Sequence, residues 1–346
     1  MRVGISDLRA GRGIGRDSYG GGLKKKNPDK KKGADAGENA PSGDAPKPGA
    51  PARESEDAPG MENVMASLSK LFGGREFLSD EDLDAFLDSK IASGEIPPSA
   101  ALDPLDEAQS LVYEAWNSVG PQKVRLARRA LELSPLCADA YLILAEEEAR
   151  DLDTALKHYR QAVAAGEKAM GPAPLNHPQA KLWENMEARP YMRARLGLAE
   201  CLWDSGSRDE ALGHLRELMR LNPSDNQGVR YILVHCFQEM GSEDELGELL
   251  ERFRNDPSPE IKYTHALWVF RREGSSELAI GLLSEALEAN SLVPAYLLKR
   301  KKLPKRAPEA AREGSEEEAS AYAMGALDPW HKTLGALEWL AEHAPE

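Results

Sequence analysis

The 346-residue sequence predicts an all-α fold: a tetratricopeptide-type helix-turn-helix solenoid with a disordered N-terminal tail and a helical C-terminal cap. The first observation behind this is a repeat. Gly206, Gly241 and Gly274 are spaced by 35 and then 33 residues, bracketing the 34-residue period of tetratricopeptide helix pairs. The second is what surrounds each glycine. Leu198-Ala199 and Leu202, Leu233-Val234 and Phe237, and Ala266-Leu267 and Phe270 precede them, and Ala211, Leu246 and Ala279 follow five residues later. The third is helical spacing beyond that point, as in Leu215 and Leu218, Leu250 and Phe253, and Leu283 and Ala286.

Residues 1–60 contain 12 Gly and 6 Pro, with little apolar material to offset the entropy of ordering a backbone. They form the predicted tail. Its first 33 residues carry ten Lys or Arg against Asp7, Asp17 and Asp29, a balance of +7. The whole chain is at −14, so the remainder is at −21 by difference. An acidic body disfavours broad nucleic-acid binding, whereas the basic tail suits an anionic surface.

Residues 61–104 read as a short helical lead-in. Val64, Met65, Leu68 and Leu71 give the first helix its apolar face, and Ser79 caps a second helix over Asp80–Ile91. Asp80, Asp82 and Asp84 open like a calcium loop. Ala85 and Ile91, however, stand where such a loop needs Gly and Glu, so no calcium site is assigned.

Residues 105–291 form the array. A first pair, Leu105–Val119 and Gln122–Leu133, ends at Ser134-Pro135, where proline forces the chain out of helix. A second unit spans Ala138–Glu167 with a shortened turn, and an irregular Pro-rich insertion follows at about 171–189, its Trp183 and Met186 packing back onto the array. Three regular units occupy Pro190–Ser291. Residues 292–346 form the cap: a short helix near Pro294–Leu298, the basic run Lys299–Lys302, then helices over Glu316–Leu327 and Thr333–His343.

Cys137, Cys201 and Cys236 are odd in number and far apart, giving no disulfide framework. No stretch reaches the ~20 apolar residues of a membrane helix, and no apolar segment follows the basic start as in a secretory signal. The expected location is the cytoplasm.

Two stretches are more specific. Cys137-Ala-Asp-Ala-Tyr-Leu-Ile-Leu-Ala-Glu-Glu-Glu148 with Ala165-Gly166-Glu167 resembles the suppressor of tumorigenicity 7 protein family. So does the closing series Val293–Leu298, Leu303-Pro304, Ala319–Ala323, Trp330 and Gly335–Leu340. Arg189–Arg193 and Asn222–Gln227 also resemble segments of soluble bacterial tetratricopeptide proteins. The family resemblance implies a tetratricopeptide-like fold with no established enzyme activity. Its animal members carry N-terminal membrane segments, which are not carried over to this chain.

Catalytic motifs are missing. Gly11-Arg-Gly-Ile-Gly15 has the wrong spacing for a dinucleotide loop, and no Walker sequence, nucleophile elbow or HExxH occurs. His235 and Cys236 are helix neighbours pointing about 100° apart, a poor metal pair. No cofactor or metal is expected. The candidate site is the concave face of the first helices: Arg193, Leu196, Glu200 and Trp203; Tyr231, His235 and Gln238; Thr264, His265, Trp268 and Arg271. This mixture of aromatic residues and arginine resembles interface hot spots; the alternative for Trp203 and Trp268 is the core. Leu196, Glu200, Ile232, Ile261 and His265 occupy the positions of a chaperone-tail carboxylate clamp, which they cannot form. The expected function is a non-catalytic scaffold binding a peptide or protein segment in the groove. The alternative is a tether to nucleic acid or anionic membrane through the basic tail.

Overall fold

A computed structural model describes Phe86, Ser89 and residues 103–344, apart from 178–179 and 309. The predicted tail over 1–60 and nearly all of the predicted lead-in fall outside the described residues. So do the aspartates of the rejected calcium loop.

Every regular element among the described residues is helical. Five helix pairs follow one another: α1 Pro104–Trp116 with α2 Pro121–Leu133; α3 Ala138–Glu147 with α4 Leu152–Met170; α6 Arg189–Ser205 with α7 Arg208–Leu221; α8 Val229–Met240 with α9 Glu243–Arg252; and α10 Pro259–Glu273 with α11 Glu277–Ala289. Between the second and third pairs lie a single helical turn, α5 Pro172–Leu175, and two 3₁₀ turns, Leu182–Glu184 and Met186–Ala188. The chain closes with α12 Val293–Leu297, α13 Glu316–Lys332 and α14 Ala336–His343.

Local chemistry sets these boundaries. Asp103, Asp151, Ser276 and Ser315 cap α1, α4, α11 and α13 through side-chain oxygens. Gly206 and Gly241 end α6 and α8 with left-handed backbone (φ +90° and +71°), and each permits a turn of two residues into the partner helix.

Four helix limits differ from expectation, one being α14, which begins at Ala336 after the left-handed Gly335 (φ +77°) rather than at Thr333. α1 stops at Trp116, leaving Val119 exposed, because Asn117 and Ser118 bond back to carbonyls of the last turn. α4 runs on to Met170 before Gly171 (φ +72°) ends it. α13 continues through Pro329 to Lys332, where the hydroxyl of Thr333 donates to the Pro329 carbonyl (2.8 Å).

Within each pair the two helices pack closely, and the second helix of one pair meets the first helix of the next: α2 on α3, α4 on α6, α7 on α8 and α9 on α10. This is a solenoid arrangement, in which most contacts run between neighbouring units. Close approach depends on glycine opposite an aromatic ring. A Cβ on Gly166 would lie 2.8 Å from the Cβ of Tyr191, and one on Gly197 would lie 2.5 Å from the Tyr159 ring. At the α9–α10 contact, Gly247 makes room for the indole of Trp268. Apolar clusters form around α1–α3, around α3–α9 and around α10–α14; Trp268 borders the second and the third.

Candidate functional site

The third pair brings the first group of predicted groove residues inward. Arg193 is 2% exposed. Its Nε donates to Oδ1 of Asp139 (3.0 Å) and its Nη2 reaches Oδ2 (2.5 Å), while the guanidinium lies 5.0 Å from the centre of the Trp116 ring. Gln109 Nε2 donates to the same carboxylate (2.9 Å). Burial pulls the guanidinium pKa down. Glu200 and Trp203 are also buried, and Arg208 covers the Trp203 ring at 5.0 Å. Leu196 is in the core. The expectation that Arg193, Glu200 and Trp203 line an open groove is therefore corrected. α3, α4, α7 and the turns of the insertion enclose α6 on several sides, and Leu182 and Trp183 of those turns are themselves buried.

The fourth and fifth pairs are more open. Tyr231, His235 and Gln238 recur on α8 at spacings of four and three, so they share one helical face, and all three are half-buried. The Tyr231 hydroxyl donates to Oδ2 of Asp256 (2.9 Å), and Arg230 stacks on its ring at 4.2 Å. Burial raises the Tyr231 pKa well above the usual phenol range. His235 Nε2 lies 3.6 Å from Oε2 of Glu239, which also pairs with Arg208. Gln238 Nε2 is buried without a hydrogen-bond partner among the described residues.

On α10, His265 is half-buried with its ring centre 6.1 Å from that of Trp268. Burial lowers its pKa, against the pull of Glu251 and Glu285. Trp268 is half-buried and set into the adjoining pair: its indole N–H donates to the Glu243 carbonyl (2.9 Å), and Arg272 lies 4.8 Å from its ring centre. Arg271 joins three elements, bonding Thr333 Oγ1 (2.9 Å), the Pro329 carbonyl (3.4 Å) and Glu243 Oε1 (3.0 Å). Thr264 is buried. The eleven predicted face residues thus separate into the buried Arg193, Leu196, Glu200, Trp203 and Thr264, the inter-helix ties Trp268 and Arg271, and the half-exposed Tyr231, His235, Gln238 and His265.

Two polar clusters escaped sequence reasoning. One is the Gln109–Asp139–Arg193 network. The other surrounds Asp225, whose left-handed backbone (φ +52°) turns its carboxylate onto the N–H groups of Val229 (2.7 Å) and Arg230 (2.9 Å) at the start of α8. Arg230 then spans Asp225 (2.8 Å) and Asp256 (2.6 Å), tying the loop before α8 to the loop before α10. A single aspartate inside the apolar run Ala138–Ala145 was the available signal for the first cluster.

Among the described residues, no group of three His, Cys, Asp or Glu side chains is arranged to hold a metal, and no helix is long and apolar enough to cross a membrane. An open hollow of about 500 Å³ lies along α4, lined by Asp153, Leu156, Lys157, Arg160, Gln161 and Ala164. None of the predicted site residues lines it.

The family model described as ST7 protein matches residues 100–343. Among similar curated proteins, a human suppressor of tumorigenicity 7 protein-like is 27% identical over 85% of this chain and 57% of its own length. The chicken (Gallus gallus) protein of the same name is 29% identical over 69% of this chain and 47% of its own. An ST7 homolog from Drosophila melanogaster is 28% identical over 69% and 49%. The chain spans about half the length of the curated relatives it matches.

Proposed function

This chain belongs to the ST7 protein family, and from that premise we propose that it is a non-catalytic scaffold whose tetratricopeptide-like array holds a peptide or protein segment. The observation that carries this reading is the stripe Tyr231, His235 and Gln238 on α8, half-exposed, with His265 half-exposed on α10. Such a face offers an aromatic ring, two imidazoles and a carboxamide to an extended or helical ligand, the few anchors that groove recognition uses. Gln238 supports it further, since an unpartnered buried amide N–H gains most when a ligand carbonyl reaches it.

The non-catalytic part of the reading rests on chemistry. Cys137, Cys201 and Cys236 are free and buried, and burial pushes their thiols up, Cys137 and Cys201 to about 12. None supplies a thiolate at neutral pH. Free thiols suit a reducing compartment, and we place the protein in the cytoplasm.

The test is affinity purification with mass spectrometry, comparing wild type with a His235→Ala, Gln238→Ala double variant. The expected result is a partner lost from the variant while its helicity is unchanged. An unchanged partner list would remove the α8 stripe from the account.

A further inference from the structure

The loop that follows α12 is the strongest concentration of positive charge among the described residues. Lys299, Arg300, Lys301, Lys302, Lys305 and Arg306 occupy six of eight consecutive positions, with no acidic residue between them, and all six are exposed. The loop is +6. The rest of the chain, by difference from −14, is −20.

The start of the loop is tied back onto α12. Leu298 N–H bonds the Pro294 carbonyl (2.9 Å), Lys299 N–H bonds Tyr296 (3.0 Å), and Lys301 N–H bonds Ala295 (2.8 Å). Lys299 takes left-handed backbone (φ +57°), which a lysine adopts at a cost. Leu303 is half-buried and anchors the middle of the loop. Lys301 pairs with Glu316 (2.8 Å) and lies 5.8 Å from the Tyr296 ring centre. Lys299, Lys302, Lys305 and Arg306 have no ion pair with any described residue.

Holding like charges together is unfavourable without counter-charge, so the arrangement calls for an anionic ligand. Its size follows from the surroundings. An extended polyanion, such as a duplex or a bilayer, reaches well beyond the loop and faces a chain whose remainder is at −20. A short anionic chain does not. We infer that the loop at residues 299–306 is a docking surface for a short acidic peptide segment of a partner protein, about five to eight residues long. This site follows α12 and is separate from the α8–α10 face, so either reading can fail alone.

The test titrates a fluorescein-labelled octaglutamate peptide against the full-length chain by fluorescence anisotropy at low salt. One variant reverses the unpaired cations (Lys299→Glu, Lys302→Glu, Lys305→Glu, Arg306→Glu). A control neutralises the N-terminal cluster (Lys24, Lys25, Lys26, Lys30, Lys31 and Lys32 to Gln). The exposed positions of the loop variant leave the core untouched, and circular dichroism verifies this. The expected result is saturable binding that weakens about tenfold or more in the loop variant, survives in the control, and falls with added salt. Absent binding, or binding lost only in the control, would overturn the inference. So would tighter loop-dependent binding to a single-stranded RNA or to phosphatidylserine vesicles than to the peptide.

Discussion

Arg193 on α6 and Asp139 on α3 form a buried ion pair between the first helices of successive pairs, with Nε–H to Oδ1 at 3.0 Å. Both side chains are sealed from solvent (1% and 0% exposed), and Gln109 and Trp116 of the first pair complete the cluster. One polar cluster thus fixes the mutual position of three consecutive helix pairs.

Removing one partner leaves an uncompensated buried charge. Arg193→Met should destabilise the fold by ~3–5 kcal/mol, whereas Asp139→Leu with Arg193→Met should cost distinctly less. Chemical denaturation of Arg193→Met, Asp139→Leu and the double variant measures both. A double-variant cost equal to the sum of the two single costs would show that the pair is not energetically coupled.

The glycine–aromatic seats predict a second effect. Gly197→Ala pushes a methyl into Tyr159 and should cost ~1–3 kcal/mol, even though alanine favours helix over glycine. Adding Tyr159→Leu should recover part of that loss. A stabilising Gly197→Ala would mean that the ring moves aside freely.

Trp268→Ala should behave as a core substitution. It empties the seat on Gly247 and removes the indole bond to the Glu243 carbonyl, so a loss of ~3–5 kcal/mol is expected. Thermal unfolding should therefore fall by several degrees before any change in partner capture is interpreted.

His265 adds a pH dependence of definite sign. Its folded pKa lies below the ordinary value of 6.5, so the unfolded chain binds the proton more readily. The stability this contributes is present above about pH 6.5 and is lost as pH falls through the lower folded value. Lys262, Arg254, Glu251 and Glu285 are the charges that act on this ring. Relative to wild type, His265→Gln should lose less melting temperature between pH 7.5 and 5.5. Parallel curves would assign the titration elsewhere.

The helix pairs were legible in the sequence because their punctuation is local. Gly206 and Gly241 end helices through their own backbone angles, and the apolar spacing around them names the buried faces. The open face was only partly legible. Glu200, His235 and Trp268 occupy equivalent repeat positions, each six residues before the terminal glycine. Yet the first is buried, the second is half-exposed beside Glu239, and the third is wedged onto Gly247. Their environments depend on the insertion covering α6 and on which residue the adjoining helix presents, and neither is encoded at the position itself. Arg193 looked like a surface cation because its counter-charge lies 54 residues away.

The central claim concerns the half-exposed face of α8 and α10, and site-specific photo-crosslinking in native cells tests it most directly. A benzophenone amino acid placed at His235 or His265 is compared with one at Gly213 or Gly281, where a Cβ would meet nothing within 4 Å. The account predicts that His235 and His265 capture the same partner and that the glycine positions do not. Capture from Gly213 or Gly281 alone would place the binding surface on the second helices and contradict it.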